Sequence, residues 1–127
     1  MVRRFKHHYT VGEARELLPR IRNWLGELRY LRTELARRDD ALTVLLARHQ
    51  DLGGGRVDAW VRDFCRFREL IAEFSSREIR IKDLDRGLVD FPALRGNREI
   101  YLCWEDGEEA IEYWHDLDSG YAGRQSI

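Results

Sequence analysis

Between Pro19 and Leu52 the apolar residues fall into a seam. Ile21, Leu28, Leu35 and Leu42 share one heptad position, and Trp24, Leu31, Leu45 and Leu52 share the position three residues later. Spacing that alternates between three and four places these side chains along one line of a helix, the line on which a partner helix packs. A long helix of coiled-coil character is therefore expected, and it needs cover. Its start is marked by Thr10-Val-Gly-Glu13. The Thr10 hydroxyl can accept from the Glu13 amide while the Glu13 carboxylate accepts from the Thr10 amide, a capping box. Pro19 has no N–H for the Arg15 carbonyl, which predicts a kink over Arg15 to Pro19. The helix is expected over 10–52, ended by Gly53-Gly54-Gly55.

A second helix is expected over 57–76. Its seam is Val57, Trp60, Phe64, Phe67, Ile71 and Phe74, and the short connection predicts an antiparallel hairpin. The lengths do not match. At 1.5 Å per residue the first helix spans ~60 Å and the second ~30 Å. The face formed by Leu17, Ile21, Trp24, Leu25, Leu28 and Leu31 outruns its partner. Each Leu or Trp left wet forfeits ~1.5–3 kcal/mol, so either the C-terminal segment or a second copy of the chain must cover it.

After Ser76 the period becomes alternating. Ile79 to Lys82, Leu88 to Phe91 (stopped by Pro92), Glu99 to Trp104 and Ala110 to His115 read as strands. Asp85-Arg-Gly87, Gly96-Asn97 and Asp106-Gly107 read as the turns between them. Ile100, Leu102 and Trp104 face one way and Tyr101 and Cys103 the other, so the middle strand is expected to be covered on both faces. The expected fold is α+β in one domain of 127 residues. An antiparallel hairpin of two long helices is followed by a small antiparallel β-sheet of three or four strands over 79–115. An ordered C-terminal tail, irregular over 116–127, completes it.

The formal net charge is −1, too small to draw the chain to nucleic acid or an anionic membrane. Arginines crowd residues 1–38 and acids the last thirty, so the two halves are expected to meet, within one chain or between two. Arg15, Arg22 and Arg29 form a stripe, but Glu13, Glu16, Glu27 and Glu34 are interleaved with it, the pattern of a solvated helix face. Nucleic-acid binding is therefore not expected. No apolar run approaches the ~20 residues of a membrane span, and the basic start lacks the apolar core of a signal peptide. Cys65 and Cys103 lie in apolar surroundings without metal spacing. Both are expected to be reduced core thiols of a cytoplasmic protein.

No phosphate loop, nucleotide-binding glycine pattern, nucleophile elbow or zinc spacing occurs. An enzyme is not expected, nor a cofactor. Arg38 and His49 interrupt the first seam as register-setting polar residues or as recruits for an acid on a partner. Glu112 and His115 have di-iron spacing, which needs a helix, but their stretch reads as a strand. His115, Asp116 and Asp118 could hold a divalent metal, or form the solvated acidic end of a hairpin. Arg124 lies between glycines. It could close on an anion, or pin the tail to the sheet through Asp90 or Asp118. Trp104, Trp114 and Tyr121 could wall a pocket or be the core itself. The candidate ligand residues are thus Asp90, Trp104, His115, Asp116, Asp118 and Arg124.

Three stretches resemble a known family. They are Tyr9-Thr-Val-Gly-Glu-Ala-Arg-Glu-Leu-Leu-Pro19, Ile81-Lys-Asp-Leu-Asp-Arg-Gly-Leu-Val-Asp-Phe-Pro-Ala93, and Arg98 to Trp104 continuing through Tyr113-Trp-His-Asp-Leu-Asp-Ser-Gly-Tyr-Ala-Gly-Arg-Gln125. Together they are similar to a small bacterial family catalogued as a domain of unknown function, number 2203. The resemblance implies a helical hairpin joined to a C-terminal module and brings no activity with it. Where the family pattern has Arg-Leu-Gly-Glu after Cys-Trp, this chain has Glu105-Asp-Gly-Glu108. The residues themselves favour a homodimeric, non-enzymatic interaction protein acting through its helical surface, with a further protein partner left open. The alternative is a small-molecule or divalent-metal site around His115 and Arg124.

Overall fold

A computed structural model describes residues 2–48 and 54–127. Helix α1 runs over Val11–Ala47, unbroken through Pro19. Its capping box is formed as expected: the Glu13 amide donates to Thr10 Oγ1 (3.1 Å), and the Thr10 amide donates to Glu13 Oε1 (3.4 Å). The helix closes at Arg48 rather than Leu52. Helix α2 spans Gly54–Ser75, so Gly54 and Gly55 form its first turn instead of the break before it. His49, Leu52 and Gly53 lie outside the described residues.

The helices form an antiparallel hairpin, because their cross-contacts run in opposite numerical order. Trp24 meets Phe74 edge-on with centroids 5.5 Å apart, Glu27 pairs with Arg66, and Arg38 pairs with Asp63 at 3.1 Å. Arg38, read as a register-setting residue or as a recruit for an acid on a partner, pairs instead with an acid of its own chain. The rotation of α2 that brings these ion pairs together buries Ala59, Leu70 and Phe74 and splits the predicted seam. Trp60 and Phe67 are half-buried, whereas Val57, Phe64 and Ile71 face outward. Cys65, expected in the core, is exposed on that outer side.

Five strands follow in an antiparallel meander: β1 (Arg80–Asp83), β2 (Leu88–Arg95), β3 (Arg98–Glu105), β4 (Tyr113–Asp116) and β5 (Gln125–Ser126). The fold is α+β as expected, with one strand more. β2 continues through Pro92 instead of stopping there. The Pro92 carbonyl turns away from β3 and accepts from the Tyr9 amide at 2.7 Å. In an antiparallel strand a residue's nitrogen points to the same side as its carbonyl, so proline removes no bond from the β2–β3 ladder. The last hairpin strand starts at Tyr113, not Ala110, and the tail beyond it is less irregular than expected. A 3₁₀ turn at Tyr121–Gly123 brings it back to pair with β4 as β5. Gly96, with φ 64°, occupies the first central position of the two-residue turn between Arg95 and Arg98, where a II′ turn calls for glycine.

The overhang is covered within the chain. Ala14, Leu18, Ile21, Leu25, Leu28 and Leu31 share one core with Val89, Phe91, Ala93, Ile100, Leu102, Trp104 and Trp114 of the sheet's inner face. The arginine-rich and acidic halves meet along the same contact. Arg29 donates to the Leu84 carbonyl (3.0 Å) and to Asp106 (3.1 Å), and Arg32 pairs with Asp85. Gly87 has φ 65°, and a Cβ there would lie 2.6 Å from the Arg29 guanidinium and 2.5 Å from Asp106. Only glycine fits this crossing.

Leu28→Ala is expected to lower stability by ~2–5 kcal/mol, because Leu28 is wholly buried under the sheet. Leu46→Ala, at an exposed position of the hairpin, should change the stability of the separate monomer by less than ~0.5 kcal/mol. Urea unfolding of the two variants measures the contrast.

Candidate functional site

Strand alternation sends one set of side chains away from the helices. The register pairs Asp90 with Cys103, Asp90 with Arg80, and Tyr101 with His115. All five residues therefore share the sheet's outer face. Asp90, Cys103 and His115 are each only 1 % exposed. His115 Nε2 lies 2.9 Å from Asp90 Oδ1, and Arg80 donates to Asp90 Oδ2 from Nε (3.1 Å) and Nη2 (2.7 Å). One ligand atom from each of Asp90, Cys103 and His115 lies within 4.8 Å of the other two.

The imidazole is oriented by its other nitrogen. His115 Nδ1 is 2.8 Å from the Asp116 carbonyl. A carbonyl only accepts, so Nδ1 carries hydrogen and Nε2 is the atom presented to Asp90. Something positive must stand between Nε2 and the carboxylate oxygen, either a proton or a cation. Burial, reinforced by the neighbouring Asp90 charge, pushes the Cys103 thiol up to about 12. A thiol so held is a poor nucleophile at neutral pH, and groups this enclosed do not touch a substrate. Burial also raises the Tyr101 phenol.

Two irregular segments cover this face. From the N-terminal side, Phe5 packs on Tyr101 with centroids 5.5 Å apart, and the Arg4 and Phe5 amides donate to the Glu99 carboxylate at 2.7 and 3.0 Å. His8 Nε2 adds a contact of 2.8 Å to Glu99. The Lys6 and His7 amides donate to Glu78, which stands at φ 59° just beyond α2. From the C-terminal side, the Arg124 guanidinium lies between the rings of Tyr113 (3.8 Å) and Tyr121 (4.5 Å) and donates to both oxygens of Glu108 at 2.8 and 2.6 Å.

The residues singled out in the sequence thus separate. Asp90 and His115 come together. Asp116 gives its carbonyl to His115, but its carboxylate pairs with Arg98 (3.1 Å), and Asp118 is exposed. The alternative trio His115, Asp116 and Asp118 is not assembled: Asp116 alternates to the face opposite His115, and Asp118 lies beyond the end of β4. Arg124 does pin the tail, through Glu108 rather than Asp90 or Asp118. Trp104 and Trp114 belong to the core behind the sheet, and Tyr121 is exposed. Cys103 and Arg80 were missed as site residues. Alternation put Cys103 on the face opposite Leu102 and Trp104, but only the observed register brings Cys103 and Arg80 beside Asp90.

The arginine stripe of α1 is also accounted for in part. Besides the Arg29 and Arg32 contacts, Arg22 stands over the Trp104 ring at 5.4 Å and reaches the Glu108 carbonyl. Among the described residues no helix is long and apolar enough to cross a membrane.

A family profile described as "Uncharacterized conserved protein (DUF2203)" matches residues 7–127. The chain belongs to that family. No curated protein and no solved structure matches it.

Asp90→Ala would strand a buried imidazole and its guanidinium partner and is expected to lower stability by ~3–5 kcal/mol, measured by urea unfolding. Glu99 is the test of the N-terminal cover. Amide donation from Arg4, then the His8 contact, holds its carboxyl down at about 2, against an ordinary value of 4.5. A depressed carboxyl contributes stability that is complete above 4.5 and lost as pH falls through 2. Cleavage by limited proteolysis within residues 3–6 should therefore accelerate as pH drops across that window, using an acid-active protease. Glu99→Gln should be cut readily at pH 7.

Proposed function

We propose that this member of the family is a homodimeric, non-enzymatic interaction protein that pairs with its twin through the outer face of α2. The observation that carries this reading is a second apolar line on that helix. Val57, Val61, Phe64, Arg68, Ile71 and Ser75 are spaced four, three, four, three and four. Val57, Val61, Phe64 and Ile71 are left 38–45 % exposed. Trp60 stacks on Phe64 with centroids 5.1 Å apart, extending the patch. A heptad line of this kind is the contact line of a helix pair, and a contiguous exposed apolar patch marks an interaction surface.

A second copy suits this line better than an unlike partner. Arg56, Arg62, Arg66 and Arg68 balance Asp58, Asp63, Glu69 and Glu73 on α2, so two such helices do not repel. An antiparallel two-fold centred near Arg66 sets Val57 against Ser75, Val61 against Ile71 and Phe64 against Arg68 of the twin. The one charged residue of the line then meets an aromatic ring, a favourable cation–π contact. A parallel pair would place Arg68 on Arg68. The closed two-fold arrangement is also the commonest for soluble assemblies. The reading places the chain in the cytoplasm, where Cys65 and Cys103 remain thiols.

Light scattering on the wild-type chain at micromolar concentration should give twice the 15.1 kDa chain mass. Phe64→Glu should return the single-chain mass with an unchanged circular dichroism spectrum, because Phe64 faces away from α1. A wild-type mass of one chain overturns the proposal.

A further inference from the structure

We propose that Asp90, Cys103 and His115 form a binding site for a soft divalent cation of the zinc class, independent of any self-association. The donor set is one imidazole nitrogen, one sulfur and one carboxylate oxygen, mutually within 4.8 Å. Zinc bonds of ~2.0–2.3 Å at tetrahedral angles place donor atoms about 3.3–3.6 Å apart. Nε2 and Oδ1 stand 2.9 Å apart and Cys103 Sγ lies within 4.8 Å of both, so small side-chain shifts, opening the first pair slightly, make the cage. A thiolate in the set selects zinc, cobalt or copper(I) over magnesium or calcium, which take oxygen ligands.

The surroundings supply what a metal centre needs beyond its ligands. The bond from His115 Nδ1 to the Asp116 carbonyl is the outer contact that fixes a ligating ring and leaves Nε2 for the metal. Arg80 holds Asp90 by Oδ2 alone, leaving Oδ1 free to ligate. The three residues come from three adjacent strands, β2, β3 and β4, which gives a rigid frame.

Charge is conserved on loading. In the metal-free cluster the 2.9 Å contact between Nε2 and Oδ1 is bridged by one hydrogen, and another sits on Cys103 Sγ. A cation of charge two displaces both: the proton between Nε2 and Oδ1 leaves as metal bonds form to those atoms, and the thiol proton leaves as the metal–sulfur bond forms. The ligand bonds are dative, and nothing is oxidised or reduced. The buried cluster carries the same net charge before and after, so loading adds no uncompensated charge to the interior, the usual penalty for burying an ion.

Cobalt(II) is the probe, added to the full-length, metal-stripped chain. The expected result is one ion per chain, a thiolate-to-cobalt charge-transfer absorption, its loss on adding zinc, and release of two protons per ion in lightly buffered solution. Cys103→Ala and His115→Gln should abolish the absorption and weaken binding beyond the ~10–100-fold that outer-contact changes cost. Cys65→Ser, at the exposed thiol, should change nothing. Folded wild-type chain without the absorption, release of fewer than two protons, an absorption surviving Cys103→Ala, or one lost in Cys65→Ser overturns the site. The proton count is read on the wild type, so it decides even if a variant fails to fold.

Discussion

Everything in this molecule is arranged around the burial of one stripe of α1 beneath the inner face of the sheet. Ile21, Leu25 and Leu28 are entirely removed from water there, as are Val89, Phe91 and Trp104 opposite them. Apolar burial is non-directional and would tolerate several placements. The ion pairs and the Gly87 crossing make it directional. Arg29 threads over a glycine that admits no side chain and ties the helix to the Leu84 carbonyl and the Asp106 carboxylate in the turns after β1 and β3. The basic first part of the chain and its acidic last part are thus two halves of one contact.

Committing the base of α1 to the sheet has a consequence at the other end of the hairpin. One partner helix covers only a narrow seam of an amphipathic helix, not the whole of a wider apolar stripe. Towards Ala47 the sheet no longer reaches, and the wet residues are found there: Val44 and Leu46 on α1, Val57, Val61 and Phe64 on α2. The exposed apolar surface is therefore displaced. It lies on the hairpin arm and on the outer side of α2, not on the overhang of the longer helix. The self-association proposal is attached to that displaced surface.

The outer face of the sheet follows a different logic. A small sheet with helices on one side would normally present polar residues to water on the other. Here two irregular segments fold across it and enclose an imidazole, a carboxylate and a thiol. Desolvation makes the Cys103 proton hard to remove without a strong electrophile. The same enclosure that makes the cluster unsuitable for open chemistry makes it suitable for holding an ion, provided displaced protons balance the charge.

The capping box, the hairpin turn at Gly96-Asn97 and the central strands were legible because each is a local matter, decided by neighbours within a few residues. So was the need for cover over Leu17 to Leu31, since periodicity and helix length fix how much apolar surface a helix presents. Sequence alone could not decide what supplied the cover, or which side of α2 faced in. That rotation brings Arg38 to Asp63 and Arg66 to Glu27, contacts across 25 and 39 residues. Nor could it join Asp90 to His115. The two lie on strands separated by β3, and only the ladder register on both sides of β3 brings their side chains to one point. Local patterns determine what each segment is, whereas long-range register and helix rotation determine which of its side chains meet.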